Sequence, residues 1–312
     1  MFTTYAPIIV NVRRGPSVES RHELVASVVD NDGQEVARYG DTNFSTYWRS
    51  CAKPFQARPW LEDGVIEHFG WGDEELAIMC ASHVGSDTHA ALVQHILSDI
   101  GLSETALRCD AVLKARHNCS GNHAGILAAC VFHGWDVKSY QRADHPAERA
   151  MLASVAEAAG IPESEIPQAV DGCGIVTYAT PVVAIARAYA RLADLAPRVA
   201  DAMRAHPVLI EGEGELDTVI MQSFPQALSK AGAEGLGCVA LPGGGAVAVK
   251  VLDGADRAVA PALVALLVRH LGLQDVPDGA SQMARPTILN DNGEAVGELV
   301  AVLPAEANSR DR

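Results

Sequence analysis

The chain has 312 residues, of which 48% are hydrophobic and 20% are charged, and its formal net charge is −15. A chain of this length can form one large domain or two ordinary ones around a substantial core. The acidic balance and the lack of a Lys/Arg cluster argue against a protein that binds nucleic acid, because a phosphate-binding surface needs clustered positive charge.

The cysteines and the apolar runs indicate the compartment. The cysteine count is odd, at seven, which fits a reducing compartment better than a disulfide framework. No apolar run approaches the roughly 18 residues that span a bilayer. The first residues also lack the charged-then-apolar order of a signal peptide. We therefore expect a cytoplasmic protein with no membrane partner.

Strand patterns lie near both ends of the chain, and helical patterns lie between them. Ile8–Val12 is apolar, and two extended runs follow that are joined at Asn31-Asp32-Gly33, which is a hairpin signal. Apolar residues then recur at helical spacing over 51–63, 73–81, 87–100, 123–133, 146–159 and 179–193. A second hairpin is predicted where Gly237–Leu241 and Ala246–Leu252 flank a glycine-rich turn, and a helix is predicted over 261–271.

This order of elements predicts an α/β (α+β) fold. One antiparallel sheet is built from both chain ends, and the helices of the middle region form a second layer. We treat residues 1–312 as a single catalytic unit, with sheet portions at about 8–45 and 215–305 and a helical portion at about 50–205.

The sharpest local signal is the pair Ser50 and Lys53 in the run RSCAKP. On one helical turn the two side chains share a face, so the amine can come within reach of the hydroxyl. A serine hydroxyl needs a base to become a nucleophile, and a buried lysine can supply one. The pattern also occurs by chance in many chains, where the serine caps a helix and the lysine is solvated.

Other segments carry reactive side chains in a fixed order. They read CASHVGSDTHAA, HNCSGNHAGILAA, DHPAERA, DGCGIVTYATPVVAIARAYA, AMRAHP and KAGAEG. Together with RSCAKPFQA, this ordered set resembles the L-asparaginase II family over most of the chain. The resemblance implies a serine-β-lactamase-like fold and an amidohydrolase that converts L-asparagine into L-aspartate and ammonia.

The resemblance also implies catalytic roles. Ser50 is then the nucleophile of an acyl-enzyme mechanism, and Lys53 is its base. Ser82 is a second active-site serine, paired with a lysine from the C-terminal sheet. Lys230, in a Lys-x-Gly sequence at the start of a strand, is our assignment for that lysine, and Lys250 is the rival.

Substrate-binding residues are expected nearby. A guanidinium suits bidentate binding of a carboxylate, so Arg49 is a candidate for the substrate carboxylate, with a surface arginine as the alternative. The resemblance further implies that His83, Asn118, Gly121 and His22 lie in or near the substrate site.

A metal site is implied by the resemblance, and here the chain departs from the family. The family uses two cysteines and a lysine for zinc, and the corresponding residues are Cys119, Cys173 and Asn122. Two thiolates suit Zn²⁺, but they are fewer than the three or four protein ligands of ordinary sites. His117, His123 or a water could complete the coordination, and we expect weaker binding if zinc is present. No organic cofactor is expected.

Two alternatives stay open. One is a hydrolase of the same fold that acts on glutamine or a cyclic amide, because one methylene is worth only about 1–3 kcal/mol of discrimination. The other is a catalytically silent binding or metal-sensing relative, which the replacement of lysine by Asn122 favours. A homodimer is the expected assembly.

Overall fold

The computed structural model of the protein describes residues 2–224, 226–241 and 243–305. The described residues divide into two compact units. The sheet unit takes its residues from Met1–Thr46, Thr180–Arg191 and Val219–Arg312, and the helical unit takes them from Tyr47–Ala179 and Leu192–Thr218. The expectation that both act as one catalytic unit stays a prediction.

The strands follow the predicted distribution along the chain, except that two of them, Gln168–Val170 and Val176–Pro181, lie inside the portion that was expected to be helical. In chain order they are β1 (Thr3–Tyr5), β2 (Ile8–Arg14), β3 (Ser17–Val29), β4 (Glu35–Tyr39), β5 (Ser45–Tyr47), β6 (Gln168–Val170), β7 (Val176–Pro181), β8 (Leu228–Gly232), β9 (Leu236–Ala240), β10 (Ala246–Val251), β11 (Thr287–Leu289) and β12 (Ala295–Val302). The two predicted hairpins are confirmed as the antiparallel pairs β3–β4 and β9–β10.

The main sheet joins strands from both ends of the chain. Its order is β11-β12-β2-β3-β10-β9-β8, and every neighbouring pair along this path is antiparallel. β4 also pairs with β3, and β1 pairs with β4 in parallel. The predicted α/β architecture, with an antiparallel sheet from both termini and a helical middle region, is therefore confirmed.

Each predicted helix is present, and the helices Pro197–Ala205 and Leu216–Ser223 were not predicted. In chain order the helices are α1 (Lys53–Glu62), α2 (Val65–His68), α3 (Asp73–Met79), α4 (Asp87–Asp99), α5 (Ser120–His133), α6 (Pro146–Ala159), α7 (Val182–Ala190), α8 (Leu192–Leu195), α9 (Pro197–Ala205), α10 (Pro207–Ile210), α11 (Leu216–Ser223), α12 (Val259–His270) and α13 (Ser281–Ala284). The helix expected over 179–193 begins only at Val182, because residues up to Pro181 continue β7. Among the described residues, no helix combines the length and hydrophobicity that crossing a bilayer requires.

Within the sheet unit, α7 packs against β3, β9 and β10, and α12 packs against β9 and β10. The α12 sequence VAPALVALLVRH buries most of its apolar residues. Gly237 lets this helix come close to β9, because a Cβ at that position would lie 2.5 Å from Val259 Cγ1.

Within the helical unit, α5 is the central helix. Its first eleven residues, Ser120–Cys130, are all buried, and it contacts α1, α3 and α4. A Cβ on Gly121 would lie 2.1 Å from the carbonyl oxygen of Ile78, so only glycine permits this approach to the end of α3. The start of α5 is thereby fixed against the end of α3.

Candidate active site

Ser50 and Lys53 lie where the chain enters α1. A 3₁₀ turn over Arg49–Ala52 leads into the helix, which begins at Lys53. Arg49 has a left-handed backbone, with φ of 48°, which costs a non-glycine residue about 1–3 kcal/mol. Its N–H donates to Oγ1 of Thr177 at 3.1 Å, and this bond helps to hold the strained conformation next to Ser50.

The Lys53 amine is buried, with 2% of the residue exposed, and it has three acceptors. Nζ donates to the carbonyl oxygen of Ala81 at 2.5 Å, to Ser82 Oγ at 3.0 Å and to Cys119 Sγ at 3.4 Å. Among the described residues, the hydrogen bond that we expected between Ser50 Oγ and Lys53 Nζ is not formed. The end of α3 and the start of α5 present the acceptors that the amine uses instead. Once it has lost a proton, the same nitrogen is placed to accept one from Ser82.

Ser82 lies in an extended segment that follows α3. Its N–H donates to the carbonyl oxygen of Ile210 at 2.8 Å, and two residues later the N–H of Val84 donates to Glu211 at 2.7 Å. These bonds fix the backbone on both sides of the half-buried Ser82 side chain. The hydroxyl that Lys53 contacts is therefore held by the main chain.

His83 is buried, and both of its ring nitrogens have partners. The N–H of Gly85 donates to Nδ1 at 3.1 Å, so Nε2 carries the proton and donates to Ser120 Oγ at 3.0 Å. Burial, with the nearby His89, lowers the pKa of His83 to about 3, and the two rings stack at 4.7 Å. Binding of substrate by the neutral His83 ring requires one of these internal bonds to break, and this role stays a prediction.

Two cysteines come together beside Lys53. The thiols of Cys119 and Cys173 hydrogen-bond to each other, and this bond, with the nearby Lys53 and His117, lowers the pKa of Cys119 well below its usual range. The pKa of Cys173 is raised, because its proton is held by Cys119 and the thiol is buried. Hydrogen bonds to the thiols of Cys109 and Cys119 raise the pKa of His117 to about 10. These contacts favour the thiolate form of Cys119 over that of Cys173.

The remaining expected zinc ligand, Asn122, is buried on the same helix as Cys119. Its amide oxygen Oδ1 has no hydrogen-bond partner, which leaves it available to a ligand. Within the described ranges, however, no group of three or more His, Cys, Asp and Glu side chains is placed to hold a metal ion. Two thiols and one amide oxygen fall short of the three or four strong ligands of ordinary zinc sites. Zinc binding stays a prediction, and no reaction step below uses it.

Arg49 already binds a carboxylate of the protein. Its NH2 lies 2.9 Å from Asp171 Oδ1, and both side chains are largely shielded from water. The N–H of Gly172 donates to the same carboxylate oxygen. A substrate carboxylate at Arg49 therefore shares the guanidinium with Asp171 or displaces it.

The two predicted substrate residues next to Cys119 differ in exposure. Asn118 is exposed, and its carbonyl oxygen accepts the N–H of His83 at 3.2 Å. Gly121 is buried, and the close approach to Ile78 accounts for its lack of a side chain. Both substrate roles stay predictions.

Three predicted residues belong to the sheet unit. Lys230 is fully buried in β8 and donates to the carbonyl oxygen of Ala231 at 2.8 Å. Lys250, in β10, donates to the carbonyl oxygen of Glu234 at 2.6 Å, and burial lowers its pKa. Neither observation decides which lysine pairs with the second serine.

His22, the third of them, is held between two charged side chains of the same unit. Its Nδ1 lies 2.7 Å from Asp253 Oδ2, and its Nε2 accepts the Nε–H of Arg257 at 3.0 Å. Both nitrogens are therefore in use, and the substrate role of His22 stays a prediction.

Sequence reasoning missed a group of buried polar residues in the helical unit. Gln56, Glu148 and Tyr178 are each at most 2% exposed. The sequence feature that could have revealed this group is Glu148, an acidic residue within the apolar helix sequence PAERAMLASVAEAA. A carboxyl group on the buried face of a helix needs partners inside the protein.

Comparisons with known proteins place the chain in a family. A family model described as L-asparaginase II matches residues 10–301. No curated protein matches significantly. Among solved structures, the native form of a protein called Mglu is 14% identical, with a TM-score of 0.48, and the match covers 83% of this chain and 67% of that one. A β-lactamase from Mycobacterium bovis is 16% identical, with a TM-score of 0.43, over 80% of this chain and 95% of that one.

Proposed function

The chain belongs to the L-asparaginase II family and is an amidohydrolase of the asparaginase type, and from this premise we propose that it hydrolyses L-asparagine to L-aspartate and ammonia. The observation that carries the proposal is the buried amine of Lys53, which donates to Ser82 Oγ at 3.0 Å. The second hydroxyl, that of Ser50, lies three residues before it in the chain. A serine and an amine in one site are the parts that acyl transfer needs.

In the proposed reaction, Ser50 is the nucleophile. Its oxygen bonds to the side-chain amide carbon of asparagine while the deprotonated Lys53 amine takes the hydroxyl proton. The C–N bond then breaks, and the proton passes to the leaving nitrogen, which departs as ammonia. Water then attacks the resulting ester, Lys53 passes one of the water protons to the serine oxygen as the ester bond breaks, and aspartate is released.

Ser82 has a defined part in this scheme. Because its hydroxyl is hydrogen-bonded to Lys53 Nζ, Ser82 can carry the proton between the amine and the leaving nitrogen. The same contact supports a rival assignment, in which Ser82 itself is the nucleophile and Ser50 assists. The two serines therefore have to be distinguished by experiment.

The first experiment measures ammonia release from L-asparagine and L-glutamine by the purified protein. We expect release from asparagine that disappears in Ser50→Ala and in Lys53→Ala, while circular dichroism shows both variants folded. Lys53→Arg is not expected to restore turnover, because a guanidinium stays protonated. Lys138→Ala, which removes an exposed lysine of the same unit, is the matched control.

The second experiment identifies the nucleophile. A diazoketone analogue of L-asparagine alkylates the attacking oxygen, and peptide mass spectrometry locates the adduct. An adduct on Ser50 supports the proposed roles, and an adduct on Ser82 exchanges them. Full turnover in Ser50→Ala would contradict the mechanism, and no release from either amide by folded wild-type protein would contradict the proposed function.

A further inference from the structure

Two polar layers join α1, α5 and the end of α3, one helical turn apart. The upper layer is the set of contacts around the Lys53 amine, made by Ala81, Ser82 and Cys119. In the lower layer, Asn122 Nδ2 donates to Gln56 Oε1 at 3.4 Å and to the carbonyl oxygen of Met79 at 3.3 Å. Gln56 and Asn122 each come three residues after an upper-layer residue on their helix, so the two layers lie on the same helix faces.

The lower layer is connected to a buried carboxyl group. The side chain of Gln56 interacts with the hydroxyl of Tyr178, where it lowers the pKa of a tyrosine whose burial raises it. That hydroxyl lies 3.5 Å from Glu148 Oε2, and Glu148 Oε1 accepts the N–H of Val176 at 3.1 Å. The connected side chains of Glu148, Tyr178, Gln56 and Asn122 are each at most 2% exposed. Bulk water therefore supplies no alternative hydrogen-bond partners.

We propose that Glu148 is a positioning residue, which fixes the lower layer through Tyr178 and so holds the Lys53 amine in place. This inference rests on the proposed function, because its effect on turnover is exerted through the reaction at Lys53. Glu148 touches no reacting atom in this scheme. Its contribution is the orientation of the two helices that carry the reactive groups.

Burial favours the uncharged form of the Glu148 carboxyl. Burial raises the pKa of its carboxyl to about 8, and the hydrogen bonds from Val176 and Tyr178 offset the effect only in part. Tyr178 of β7 is the titratable group that faces it. On the neighbouring α1, Arg58 is bound to Glu62 and Glu157. The Lys53 amine of the same helix donates to Ala81, Ser82 and Cys119.

Ionisation of Glu148 would therefore leave a buried carboxylate without a cation to pair with. A buried charge in this position draws donors or water toward itself, which disturbs the hydrogen bonds of the connected side chains. We expect kcat to fall as the pH rises through about 8. In Glu148→Gln, whose side chain cannot ionise, the midpoint of this fall should move up by about one pH unit or more.

The kinetic test compares kcat from about pH 6 to about pH 10 in wild type, Glu148→Gln and Tyr178→Phe. Tyr178→Phe keeps the ring but removes the hydroxyl that links Gln56 to Glu148. We expect kcat to fall about tenfold with KM changed far less. Glu163→Gln removes an exposed carboxyl from the turn that follows α6 and serves as the control. Superimposable pH profiles of wild type and Glu148→Gln would overturn the inference. So would a loss of kcat in Tyr178→Phe that only matches its loss of folded protein in thermal unfolding.

A labelling test separates this inference from the proposed function. Acetic anhydride modifies lysine amines, and peptide mass spectrometry gives the rate at Lys53 relative to the exposed Lys138. Loss of the Tyr178 hydroxyl in Tyr178→Phe should raise the relative acetylation rate of Lys53 by about threefold or more. An unchanged rate overturns the positioning role whether or not the protein turns over asparagine. A raised rate in a protein without turnover supports the positioning role and rejects the proposed function.

Discussion

The buried carboxyl of Glu148 makes a quantitative prediction about stability. Its pKa is about 8 in the native state against 4.5 for the free side chain. The native state therefore keeps a proton that the unfolded chain releases, so stability falls as the pH rises from about 4.5 through about 8. At about 1.4 kcal/mol for each unit of pKa, the full loss is about 5 kcal/mol, which is an upper limit.

Urea unfolding followed by circular dichroism measures this loss. We expect the free energy of unfolding of wild type to fall relative to Glu148→Gln by about 3–5 kcal/mol between about pH 5 and about pH 9. The glutamine amide keeps an acceptor for the N–H of Val176 but removes the titration. Glu163→Gln, at an exposed position after α6, should follow wild type within about 0.5 kcal/mol. Parallel curves for wild type and Glu148→Gln would show that the carboxyl is ionised in the folded protein and would refute the reasoning.

Three further predictions follow from other contacts. Gly121→Ala forces a Cβ to within 2.1 Å of the carbonyl oxygen of Ile78, so we expect a loss of about 1–3 kcal/mol in urea unfolding; an unchanged midpoint would contradict the close packing. Arg49→Lys loses the planar guanidinium that pairs with Asp171. We expect KM for asparagine to rise about tenfold with kcat changed less. An unchanged KM would show that Arg49 does not bind the substrate. Asn122→Lys supplies the amine ligand that the family resemblance implies. Competition with a chromophoric chelator should then show zinc binding at least about tenfold tighter than in wild type. Equal affinities would show that residue 122 does not set zinc affinity.

The elements of the fold could be predicted because their signals are local. The Asn31-Asp32-Gly33 turn between two apolar runs gave the β3–β4 hairpin, and helical spacing gave helices such as α5 and α6. The short strand β11 and the four-residue helices carry too few residues for a period to show. β12 is longer, but its sequence AVGELVAV has a glycine that interrupts the alternation.

The sequence indicated which residues are candidates for the site, but it did not indicate which of their side chains form hydrogen bonds with each other. The spacing of Ser50 and Lys53 suggested that both lie on one helical turn, whereas Ser50 lies in the 3₁₀ turn before α1 and Lys53 is the first residue of α1. Their hydrogen bond is not formed, because the acceptors that Lys53 uses come from residues 28 to 66 positions away in the chain. Such partners depend on how α1, α3 and α5 pack, and no local pattern reports that packing.

The same two layers accommodate a neutral side chain at residue 122, where the resemblance implies a lysine. A lysine there would bring a second amine to the turn of α5 that follows Cys119, while Lys53 already donates to this sulfur. Two neighbouring buried ammonium groups disfavour each other, and a metal-bound pair of thiolates is one way to offset the charge. The neutral Asn122 instead donates to Gln56 and Met79 and needs no counter-ion. Restoring the lysine should therefore couple two properties: tighter zinc binding, and a protein whose stability depends on the metal.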